Sequence, residues 1–113
     1  VEDNPVPEQP LSQVVFIHDY VQLIFQNEGF SIFNRSKLTP TSGVLHYGER
    51  EFADALVRLI GHRVVACSMG EGLTLTFEGG EVFSVLADEE DVRGPEAFSY
   101  ARDGVTLVVE QNA

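Results

Sequence analysis

Three histidines, one cysteine and 18 carboxylates are the residues of this 113-residue chain with the chemistry for proton transfer, nucleophilic attack or metal binding. His18 and Asp19 are adjacent, and a carboxylate beside an imidazole can orient a general base. Neighbours on a strand point to opposite faces, so a hairpin corner explains this pair more simply than a catalytic dyad. His18, His46 and His62 lie on three separate segments, without the short ligand spacings that announce a metal site. The run Asp88, Glu89, Glu90, Asp91 offers oxygen ligands, but consecutive carboxylates cannot all face one ion, and the alternation and central glycine of a calcium loop are missing. Cys67 sits in an apolar run with nothing basic beside it, as a packing thiol would. Gly70, Gly72, Gly79 and Gly80 fall at strand ends, and no lysine follows them as in a phosphate loop.

Net charge bears on partners more directly than any motif. The chain carries a formal charge of -11, and residues 71–113 hold ten carboxylates against Arg93 and Arg102, a net of -8. Such a surface is repelled by nucleic acid and by anionic lipid, whose binding rests on Lys and Arg. A basic protein is the partner that fits the field, and Asp88, Glu89, Glu90, Asp91 and Glu96 are the residues expected to meet it. A single cysteine allows no internal disulfide and agrees with a reducing cytoplasm. No apolar run approaches the length of a membrane helix, and a start at Val1 rather than Met is compatible with a trimmed or a processed chain.

The elements that must position these residues follow from periodicity. Residues 1–10 hold three prolines and three carboxylates and read as a flexible tail, leaving residues 11–113 as one domain. "QVVFI", a turn at His18-Asp19, the alternating Val21, Leu23 and Phe25, and a turn at "NEG" with Gly29 at positive φ predict a three-strand meander ending near Asn34. Residues 35–48 show no period and read as a surface connection. Residues 49–60 place Phe52, Ala55, Leu56, Leu59 and Ile60 on one stripe of a helix, with Gly61 as its cap. A second meander follows: "RVVACSM" with Val65, Cys67 and Met69 on one side, then Leu73, Leu75 and Phe77, then residues 81–87. Pro95 is suited to a short helical turn, Asp103-Gly104 to a tight turn, and residues 105–110 to a last strand. The class is α+β: an antiparallel sheet or partly closed barrel of about six or seven strands, built from two repeated β-meanders, with one packed helix.

"DYVQLIF", the later "LIGHRVVACSMGEGLTLTFEGGEVFSVLAD" and "GPEAF" resemble small uncharacterised bacterial families in which a hairpin is echoed by a meander and "GPE" stands near the end. The resemblance spans residues 14–109. Some similar acidic domains occur as immunity proteins beside bacterial toxins, which implies a protein-binding role. The expectation is therefore a non-enzymatic interaction domain without cofactor, metal site or catalytic residues. A pocket between the two meanders, using His18 and His62 on a small molecule, is the alternative. Self-association is a third, because Ile24 and Phe33 lie off the alternation and need cover from the helix, the tail or another subunit.

Overall fold

In the computed structural model, which describes residues 6–40, 43–70 and 72–112, the chain forms two five-stranded antiparallel sheets and one α-helix. It runs through β1 (Gln13–Ile17), β2 (Tyr20–Phe25) and β3 (Glu28–Ile32), crosses to the second sheet as β4 (Ser36–Thr39) and β5 (Leu45–His46), and enters α1 (Arg50–Val57). It then builds β6 (Val64–Met69), β7 (Leu73–Phe77) and β8 (Val82–Val85), and returns to the first sheet as β9 (Glu96–Arg102) and β10 (Val105–Gln111). The strand orders are β1-β2-β3-β9-β10 and β5-β4-β8-β7-β6. Each meander thus forms the heart of one sheet and is completed by two strands from elsewhere in the chain, and neither sheet closes into a barrel.

Pairing is matched in the two meanders. Val21 lies opposite Ile32 and Leu23 opposite Phe30, as Leu73 lies opposite Val85 and Leu75 opposite Phe83. The period of two turns these residues inward, where they join Phe25, Phe77, Phe98 and Tyr100 in one core, each 5% exposed or less. Burial of each such side chain contributes roughly 1.5–3 kcal/mol, which makes this core the main source of stability. Helix α1 packs across β1, β4 and β5 with Phe52 and Leu56 buried, and Tyr47 meets the Phe52 ring edge-on at 5.7 Å.

Several segments differ from the sequence reading. Residues 35–48 are not only a connection: β4 inserts beside β8 and satisfies the backbone that a crossing loop would leave unpaired. Residues 96–102 form a seven-residue strand where an irregular stretch with a helical turn at Pro95 is expected, and a short 3-10 turn lies at Glu89–Asp91 instead. The helix is shorter than 49–60, because Leu59 and Ile60 bond back to Leu56 and Val57 in tighter turns; Ile60 is left 42% exposed. The first meander turns at Gln26-Asn27, with Gln26 at φ 64, so Gly29 lies inside β3 rather than in the turn. An irregular step in pairing between Val64 and Ala66 leaves Val65 58% exposed, away from Cys67 and Met69. The Asp103-Gly104 turn forms as expected, at φ 54 and 79, and Asn27 clasps it by donating to Asp103 at 2.8 Å.

Of the expected tail, residues 1–5 lie outside the described residues. Within 6–10, Pro7 is buried, the Glu8 N–H donates to Glu28, and Arg63 donates to the Glu8 carbonyl.

Candidate functional site

The acidic stretch singled out by charge is a ridge with a defined anchor. Leu86 leaves β8 by donating its N–H to the Arg35 carbonyl at 2.9 Å, and the Arg35 N–H donates to the Asp91 carbonyl at 3.0 Å. Buried Asn34 clamps both feet of the ridge. Its Nδ2 donates to the Leu86 carbonyl and to Asn112 Oδ1, each at 2.9 Å, while Asn112 donates to the Gly94 carbonyl at 2.7 Å from Nδ2 and to the Pro95 carbonyl at 2.8 Å from its backbone. These paired amides tie the two feet of the ridge together. On that frame Asp88, Glu89 and Glu90 are exposed and Glu96 is half-buried, whereas Asp91 is 6% exposed and holds the turn through its backbone.

Two clefts flank the ridge. The larger, about 570 Å³, carries Arg35, Lys37 and His46 together with Glu49, Asp88, Glu90 and Asp91, with Tyr47 among them. The smaller, about 360 Å³, is bounded by Asp19, Phe33, Gly94, Pro95 and Glu96. Arg93 also lines it, but its guanidinium lies over the Tyr47 ring at 5.3 Å, on the side of the larger cleft. Among the described residues, ion pairing engages Asp54 with Arg58 and Glu28 with Arg102, and three histidines with carboxylates. Asp88, Glu89, Glu90 and Glu96 take part in none of these pairs, although Asp88 and Glu90 share the larger cleft with Arg35 and Lys37.

Each histidine faces its own carboxylate. His18 Nε2 is 3.5 Å from Asp19 in the β1–β2 turn, His46 Nδ1 is 3.6 Å from Glu49, and His62 Nδ1 is 3.9 Å from Glu78. The turn does twist His18 and Asp19 together, but both side chains are more than four-fifths exposed, where water competes for any proton. No three His, Cys, Asp or Glu side chains gather in ligand geometry among the described residues. Cys67 is half-buried against the core, and burial pushes its thiol up to about 11. At neutral pH it is a thiol rather than a thiolate, so it is expected to react with a disulfide reagent at least tenfold more slowly in the native protein than after unfolding, by absorbance of the released thiolate.

One network is absent from the sequence reading. Glu28, 4% exposed at the start of β3, accepts from the Tyr100 hydroxyl at 2.6 Å and from the Glu8 N–H at 3.2 Å. Arg102, directly opposite Glu28 in the pairing of β3 with β9, donates to the Tyr100 oxygen at 3.1 Å. Burial first, and then the bond to Glu28, push the Tyr100 hydroxyl up to about 12. The available signal was period: Glu28 shares the inward face with Phe30 and Ile32, which a turn residue would not.

An open antiparallel two-sheet fold with one helix, bearing an anchored acidic ridge between two clefts, is the class that fold and site define. No family model, curated protein or solved structure matches the chain.

Proposed function

We propose that this chain is a non-enzymatic protein-interaction domain that receives a basic protein partner on the ridge carrying Asp88, Glu89, Glu90 and Glu96, with Asp91 and Asn34 holding it in shape. The observation that carries this reading is the combination of exposed carboxylates outside the ion pairs with a backbone anchored by hydrogen bonds at both feet. A preordered acidic surface binds a cationic partner without the cost of ordering a loop. The resemblance to immunity-type domains supports a toxin as that partner, and the matched registers of the meanders support reading the two halves as an internal repeat. The space between the sheets is filled by Leu23, Phe25, Phe30, Leu75, Phe77 and Phe83, which favours a surface function over a ligand held between the meanders.

Copurification of the basic protein encoded beside this gene tests the reading. Binding at low ionic strength is expected, weakened about tenfold or more by the triple change D88N/E89Q/E90Q and more steeply by salt in the parent than in the variant. Equal affinity of parent and variant would remove the ridge from the interface.

A further inference from the structure

The smaller cleft has a chemistry of its own. Phe33 forms one wall, half-buried and backed by Tyr20 at 5.2 Å between ring centroids, and Gly94 and Pro95 contribute small apolar surface beside it. Two carboxylates complete it from different parts of the chain: Asp19 from the β1–β2 turn and Glu96 from the first position of β9. Neither forms an ion pair with an arginine or lysine among the described residues; the ion-pair partner of Asp19 is His18. Arg93 also lines this cleft, with its guanidinium turned over the Tyr47 ring at 5.3 Å, so the two carboxylates outnumber the one arginine.

An anion would be repelled by both carboxylates and by the surrounding field. A purely apolar group would strip water from Asp19 and Glu96 without replacing their hydrogen bonds. A long side chain with an apolar stem and a planar cationic head satisfies every wall: the stem lies on Pro95 and Gly94, the guanidinium stacks on the aromatic face, and its N–H groups donate to the carboxylates. An ammonium offers the charge without the stacking plane, so lysine fits less well. We propose that the pocket of Asp19, Phe33, Gly94, Pro95 and Glu96 is the anchor site for an arginine side chain of the partner. This rests on the reading of the chain as a receiver of basic protein and names the residue that reading leaves open.

Amide shift mapping with N-acetyl-arginine methylamide at low ionic strength tests it, with the lysine and norleucine analogues in parallel. Saturable shifts are expected at Asp19, Phe33, Gly94 and Glu96 with the arginine probe, about threefold weaker binding with lysine, and no response to norleucine. The pair D19N/E96Q should weaken the arginine probe about fivefold. Phe33→Leu keeps an apolar wall without the aromatic face and should weaken it about threefold; dispersed spectra of both variants show that the fold is kept. Equal response to norleucine and arginine overturns the proposal. So do arginine shifts confined to residues 88–90, a result that leaves the acidic ridge standing as an interface while removing the pocket. Loss of partner binding in D88N/E89Q/E90Q with the arginine probe still seated tests the ridge separately.

Discussion

Replacing Gly72 with alanine is expected to lower the thermal midpoint by about 12 °C, the equivalent of about 3 kcal/mol in a domain of this size. Two independent effects add at this position. The backbone sits at φ +108, outside the regions open to residues with a Cβ, which costs about 1–3 kcal/mol. The new methyl would also stand 2.8 Å from the Val85 carbonyl oxygen, a distance real Cβ atoms do not tolerate. Val85 is paired with both Leu73 and Ser36, so moving its carbonyl disturbs β7, β8 and β4 together. The Gly72 N–H is held as well, donating to Glu110 at 2.7 Å, so the turn cannot swing away without breaking that bond. Two other glycines separate the effects. Gly80, at φ +96 with nothing near its missing Cβ, should show the backbone penalty alone, and Gly29, at ordinary φ with its nearest neighbour at 3.4 Å, should show almost none. Differential scanning calorimetry of G72A, G80A and G29A should give losses in that order. A loss in G72A no larger than in G80A would mean the Val85 approach carries no weight.

How much of this was legible depends on whether a residue's role is written in its neighbours. The alternation of Val21, Leu23 and Phe25, and of Leu73, Leu75 and Phe77, needs only period two, and both runs are interior strands of their sheets with these residues buried. The antiparallel character follows, because short turns join these strands. The strands that complete the sheets were hidden for a physical reason. β4 has one large apolar residue, Leu38, with Ser36 and Thr39 beside it, and its place is fixed by partners in β8 nearly fifty residues away. In β9, Ala97 and Phe98 are buried in succession, breaking the alternation where the chain crosses between sheets: the Ala97 carbonyl accepts both the Phe33 and the Asn34 N–H. Charge composition located the acidic ridge, yet nothing local marks Asn34 and Asn112 as its clamp, since they meet only in three dimensions, 78 positions apart. Asp19 and Glu96 likewise belong to one pocket only after β3 has paired with β9.

Glu28→Ala is expected to cost about 3–4 kcal/mol, the largest loss from any single side chain outside the apolar core. It would leave the buried Tyr100 hydroxyl without its 2.6 Å acceptor and the Glu8 N–H without its own. Glu28→Gln, which retains an accepting oxygen, should cost less than half as much. Tyr100→Phe removes the donor instead and should cost about 2 kcal/mol at neutral pH, because a buried carboxylate then depends on Arg102, 3.7 Å away. Alkaline pH gives these variants a signature that a simple packing loss lacks. The folded protein holds the Tyr100 proton up to about 12, whereas an ordinary tyrosine releases it near 10.0, so between those values the unfolded chain binds fewer protons than the folded one. Stability from this group is therefore complete below pH 10 and drains away as the pH rises toward 12. Cys67 acts in the same direction in a lower window, from 9.0 to about 11, and does so equally in both proteins. Urea midpoints of parent and Y100F measured from pH 8 to pH 12 should consequently converge above pH 10. A gap that stays constant across that range would show that the hydroxyl's contribution does not depend on its proton, and the absence of a gap at every pH would show that Tyr100 stabilises the fold through its ring against Phe30 alone.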